Sequence, residues 1–292
     1  GMVRDIAVDP RGEGRVYAGA RSGIFVSHNG GEDWTGIATG EYKDIDWHTI
    51  SVSPHQPDQL LAGITCRRNA VLSENGGKTW KEVISLVGNY AFSSFEFAPS
   101  DPQVVYASTA GYISCGQMEY PYPGKGIYVS GDGGRTWKAA NNDTTQDAAV
   151  FQLSVHPQDA NIVFAATANH SLLKTTDGGQ TWEPVAENIF KGKNVTGVRI
   201  SPVNPNLVFA GSFHAGLLRS EDGGVTWKSA AAGLNPEATV VDVVFDPADP
   251  QVIYLADLHS GVYRSTNGGT RWQAVNKGLD VRAIHALALT SD

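Results

Sequence analysis

Short apolar stretches recur along the whole chain, separated by turns rich in Gly, Pro, Asn and Asp. In one copy of the pattern, Val198-Arg199-Ile200-Ser201-Pro202 leads to Asn206-Leu207-Val208-Phe209-Ala210-Gly211 and then to Gly216-Leu217-Leu218-Arg219-Ser220. Their β-branched content and their bounding turn residues predict strands. No stretch shows the 3.6-residue period of an amphipathic helix. Prolines at 10, 54, 99, 157, 202 and 247 each follow the first predicted strand of a unit, where a missing N–H costs little. The predicted order is strand, Pro-containing turn, strand, loop, strand, tight hairpin, strand.

That order repeats. Six tryptophans stand at 34, 80, 137, 182, 227 and 272, and each closes the same octamer. The octamer is cleanest at Ser130-Gly131-Asp132-Gly133-Gly134-Arg135-Thr136-Trp137 and at Ser220-Glu221-Asp222-Gly223-Gly224-Val225-Thr226-Trp227. Its third position is Asn29, Asn75, Asp132, Asp177, Asp222 and Asn267 in turn. An Asp or Asn there can accept backbone N–H bonds from residues just ahead, and the Gly-Gly pair supplies the positive φ that a tight hairpin needs. Asn serves as well as Asp, so these six residues are expected to build turns rather than perform charge-dependent chemistry. The Trp is expected to pack against a neighbouring unit.

Four short antiparallel strands in a unit of about 45 residues is the size of one propeller blade. The octamer resembles the Asp-box, or bacterial neuraminidase repeat, of sialidases, xyloglucan-hydrolysing glycosidases, sortilin-type receptors and the photosystem II assembly factor. The resemblance covers nearly the whole chain. It implies an all-β propeller, and it says little of function because enzymes, receptors and assembly factors share the repeat. Six blades are expected at about 3–40, 45–86, 91–141, 149–188, 194–234 and 239–278, in one domain spanning 1–292. Ile284-His285-Ala286-Leu287-Ala288-Leu289 matches the opening strand of a unit, so 281–290 is expected as an extra strand. A closed ring of six is the expectation, because an open ring leaves apolar sheet faces bare. The alternative is an incomplete ring of seven.

Composition narrows the partners. The 292 residues carry a net charge of −8 and the cations are scattered, so neither nucleic acid nor membrane insertion is expected. Oligomeric state is left open. Gly1-Met2 runs straight into a predicted strand, with no leader in this chain; the compartment stays open, with an exported, periplasmic or extracellular setting favoured. No cofactor is expected. Cys66 and Cys115 are two small unpaired residues or one cystine pinning a loop.

In such a repeat the Asp-box hairpins face one side of the disc. The loops between the second and third strands, and those between blades, face the other. Candidate ligand-binding residues on that side are Arg21, Arg67, Arg68, His170, His214 and His259, with Trp47 and His48 nearby. The third unit also carries an insertion, 112–125, with Tyr112, Tyr120 and Tyr122. Histidines on separate blades stand too far apart for a metal site, and none is expected.

Two functions follow. Aromatic and polar side chains around a central depression suit a glycan- or protein-binding module, taking a carbohydrate or peptide ligand. The resemblance also raises a glycosidase of sialidase-like or xyloglucanase-like type, which needs two carboxylates across the bond or, in sialidases, a Tyr nucleophile with its partner. Asp5 and Asp242 share one register on innermost strands, with Asp257 on a nearby loop, and these are the candidate catalytic residues. The sialidase start motif is missing at Val3-Arg4-Asp5-Ile6-Ala7, and the first loop, Ala18-Gly19-Ala20-Arg21-Ser22-Gly23, lacks the Asp that xyloglucanases use.

Overall fold

The structure is a computed structural model that describes the chain apart from positions 1, 38, 43, 44, 66–68, 86–89, 115, 116, 119–123, 169, 191, 214, 215, 281, 291 and 292. Six antiparallel sheets of four main strands follow one another as the blades of a β-propeller. Their innermost strands are Val3–Val8, Trp47–Val52, Tyr90–Phe97, Val150–His156, Val195–Ile200 and Val240–Phe245. The third sheet gains a fifth strand, because Val105–Ser114 runs on into the insertion and pairs back with Gln117–Met118.

The octamer forms the hairpin its residues dictate. Asp132 accepts the Thr136 N–H at 2.8 Å and the Thr136 hydroxyl at 2.6 Å, while Ser130 Oγ accepts the Gly134 N–H at 2.8 Å. Gly133 and Gly134 sit at φ of 73° and 88°, where a side chain is strained. Asn75 accepts the Thr79 N–H and Asn267 the Arg271 N–H, at 2.9 and 3.0 Å. Two of the tryptophans bond across blades: Trp182 donates to Ala140 O of the third blade, and Trp272 to Ala230 O of the fifth, both at 2.9 Å.

Five sets of buried side chains bind consecutive blades, from first to second through fifth to sixth. Each draws on the second-strand residue of one blade and the innermost strand of the next, as Phe209 with Val240 and Val243. Among the described residues no such core joins the sixth blade to the first. The expected extra strand does not form there: residues 282–290 belong to no sheet. They pass instead beside the sixth blade into the centre of the ring, where His285, Ala286 and Leu287 line the cavity.

Candidate functional site in the central channel

Every innermost strand carries one register shift near its start, at Val3/Asp5, Trp47/Thr49, Ser108/Thr109 on the partner strand, Val150/Gln152, Val195/Gly197 and Val240/Asp242. A bulge bends the strand and turns an extra side chain toward one face. The residues so displaced, Arg4, His48, Ser93, Phe151 and Thr196 among them, line a cavity of about 470 Å³ on the loop side of the channel. A second cavity of about 380 Å³ opens at the opposite end, among Pro99, Pro157, Pro202 and Pro247. Glu96, Arg199 and Leu287 stand in the walls of both.

Between the cavities lies a charged cluster. Arg199 donates to Glu96 at 3.3 Å and to Asp242 at 3.0 Å, and Gln152 Nε2 adds a bond to Asp242 at 3.2 Å. The Leu287 N–H also donates to Asp242, at 3.1 Å. Arg199 Nε is buried with no hydrogen-bond partner among the described residues, which leaves a donor in the cluster. Burial pushes the Glu96 carboxyl up to about 7, against the pull of Arg199 and with the charges of Asp242 and Asp5 adding to the rise. Burial likewise pushes Asp5 up to about 6, although the Ile50 N–H and the Thr49 hydroxyl bond its carboxylate at 2.9 and 2.8 Å. Toward the loop side the sign reverses. Arg4 pairs with Asp46 at 3.2 Å, and burial with the Arg4 charge drives His48 down to about 4.

The expected residues divide. Asp5, Asp242 and His48 do line the cavity. Asp257 does not: it is fully buried, and its carboxylate accepts the Thr239 and His259 N–H groups and the Ser260 hydroxyl, holding a loop in shape. Trp47 is wholly buried between the first two blades, against Tyr42 and Trp80, so its ring is core rather than binding surface. Arg21, His170 and His259 are exposed on loops outside the cavity wall. Arg67, Arg68, Tyr120, Tyr122, His214, Cys66 and Cys115 lie outside the described residues, as does the side chain of Tyr112.

Sequence reading did not single out the centre of the cluster. Glu96 and Arg199 occupy one register, opposite Tyr106 and Phe209, where other blades place Ala7, Ser51, Ser154 and Val244. Two charges at a position that is otherwise small or apolar were the available signal. Phe151 and Phe213 on the cavity wall carried no comparable sign. Among the described residues no group of three or more His, Cys, Asp or Glu is placed to hold a metal ion. Among the described residues no helix is long and apolar enough to cross a membrane.

Known proteins place this geometry. A Sortilin-Vps10 (sortilin, neurotensin receptor 3) family profile matches residues 175–285. No curated protein sequence matches the chain. The fold is similar to that of an ancestral GH74 enzyme, with a TM-score of 0.75 and 20% identity over 90% of this chain and 36% of that one. It is similar to the GH74 xyloglucanase from Xanthomonas campestris, with a TM-score of 0.74 and 16% identity over 100% and 49%. YCF48 bound to D1 peptide gives a TM-score of 0.62 and 15% identity over 97% and 84%. The chain thus spans less than half the length of these GH74 chains. With six Asp-box-like octamers and six four-stranded blades, the chain is an all-β propeller, and its residues 175–285 match the Sortilin-Vps10 profile.

Proposed function

We propose that this propeller is a binding module that takes an extended peptide through the loop-side mouth of its central channel. One observation carries the reading: the channel already holds a peptide segment, with the Leu287 N–H bonded to Asp242 and its neighbours His285 and Ala286 on the cavity wall. Carboxylates that accept main-chain N–H groups suit a ligand of any sequence, while Phe151 and Phe213 offer apolar contact for its side chains. A structural neighbour of similar fold is seen with a peptide bound, which supports the same use.

The test is a peptide-display selection against the purified chain, run beside a glycan array. Selected peptides are expected to bind wild type and to lose at least roughly tenfold in affinity on Arg4→Ala or Phe213→Ala. Ligands found only among glycans, or peptides indifferent to both changes, would refute the reading.

A second reading, glycoside hydrolysis, is favoured by Glu96 and Asp5. Both face the cavity, and both hold a proton closer to neutral pH than an ordinary carboxyl, as a general acid must. Release of aryl leaving groups or cleavage of xyloglucan, abolished by Glu96→Gln, would favour it over the binding module.

A further inference from the structure

Two consecutive blade junctions, fourth to fifth and fifth to sixth, share one device. In the fourth blade Phe164 and Lys174 pair across adjacent strands, and Lys174 Nζ stands 5.2 Å from the ring centroid. That pair receives the Asp-box turn of the fifth blade: Lys174 donates to Gly223 O at 2.8 Å, and a Cβ at Gly224 would come within 2.6 Å of the Phe164 ring. The fifth blade repeats this with Phe209 and Arg219. Arg219 Nε donates to Gly268 O of the sixth blade at 3.1 Å, and a Cβ at Gly269 would meet Phe209 at 2.3 Å. A cation thus takes the turn's carbonyl, and a ring takes the surface that the glycine leaves bare.

The sixth blade builds the same receptor. Tyr254 pairs with Arg264 across adjacent strands, and the guanidinium stands 5.7 Å from the ring centroid. Among the described residues no Asp-box turn rests on it. The first blade's turn does not reach it: a Cβ at Gly30 would meet nothing within 4 Å, and one at Gly31 only the blade's own Trp34. Trp34 is 40% exposed, whereas Trp182 and Trp272 are 2% and 3% exposed. The innermost place beside the sixth blade is filled, however. The Leu287 N–H bonds Asp242 as the Ile50 N–H bonds Asp5 and the Val198 N–H bonds Gln152 of the preceding blade. Among the described residues the seam therefore has an innermost segment and a receptor face, with no outer strands between them.

We propose that the Tyr254–Arg264 face docks an Asp-box β-hairpin from outside residues 1–292, whose three strands complete a blade on the C-terminal segment. The choice of occupant follows from the interfaces already present, since an aromatic–cation pair at the same register holds an Asp-box turn in the two preceding blades. A turn with Gly at both central positions fits it; a side chain at the second would strike the Tyr254 ring.

The probe is a synthetic peptide copying residues 206–230, which carries three strands and one Asp-box turn of this chain. Saturable one-to-one binding by titration calorimetry is expected, with a rise in Tm. Arg264→Ala or Tyr254→Ala in the protein, and Gly224→Ala in the peptide, should each weaken binding at least about tenfold. Because Arg264 is exposed, its replacement leaves the blade folded. Absence of binding, or binding indifferent to those changes, overturns the proposal. Sedimentation of the chain alone provides the other arm. A self-association abolished by Arg264→Glu would put the first-blade turn of a second copy on this face and overturn the assignment to a separate hairpin.

Discussion

The N–H of Leu287 donates to the Asp242 carboxylate at 3.1 Å, from a segment that belongs to no sheet. This bond holds the C-terminal segment in the channel that an added peptide would have to enter. Leu287→Pro removes the donor and so loosens the segment's hold on the channel. A hydrogen bond to a charged group is worth about 1.5–3 kcal/mol, so selected peptides are expected to bind roughly tenfold more tightly to the variant. Hydrogen exchange of the segment should rise in parallel. Affinity unchanged while exchange rises would show that the segment and the ligand do not compete.

Glu96 gives the channel a pH dependence whose sign can be worked out. Its carboxyl sits at about 7 in the fold against an ordinary value of 4.5, so between these values the native state holds more protons than the unfolded one. Its contribution is therefore favourable at low pH and is lost as pH rises toward 7. His48, pushed down to about 4, acts in the opposite sense between pH 4 and 6.5. Asp5, raised by burial to about 6, acts in the same sense as Glu96, so the wild-type curve blends all three, and the informative quantity is the difference from Glu96→Gln. Urea unfolding should give equal stabilities near pH 5 and a variant more stable by on the order of 2 kcal/mol at pH 8. A difference that stays constant with pH would refute the assignment.

The architecture was legible because the repeat states it six times over. Each Gly-Gly turn and its Trp specify a hairpin by local chemistry alone, with no need to know what lies across the ring. The channel was legible only in part. Asp5 and Asp242 share a position after the bulge, and counting along the units finds both. Arg199 meets Glu96 across the ring, 103 residues apart in sequence, and no local pattern pairs two such residues. Trp47 was misplaced for a related reason. It opens a strand beside a loop, but the bulge after it turns His48 toward the channel and leaves Trp47 in the interblade core.

That difference in placement can be measured. Trp47→Ala empties a site packed by Tyr42 and Trp80 and should cost about 3–5 kcal/mol of stability. Phe213→Ala, at a residue 39% exposed on the cavity wall, should cost about 1 kcal/mol or less and yet weaken ligand binding. Chemical denaturation and binding titrations on both variants check the pair. A Trp47 variant of near wild-type stability would contradict its place in the core.

Turns and blade contacts can be separated with two glycines. Gly224 has a φ of 90°, and a Cβ there would lie 2.6 Å from the buried Phe164 ring. Gly31 has nearly the same φ, 95°, but its Cβ would meet only its own Trp34, at 3.5 Å. The left-handed backbone costs an alanine about 1–2 kcal/mol at either site. At Gly224 the fourth blade cannot yield without disturbing its core, which adds about 1–3 kcal/mol of overpacking. Gly224→Ala should therefore destabilise the propeller by at least about 1 kcal/mol more than Gly31→Ala in matched urea titrations. Equal losses would mean that the Asp-box turn is held by its own hydrogen bonds, with the receiving ring of the neighbouring blade adding nothing.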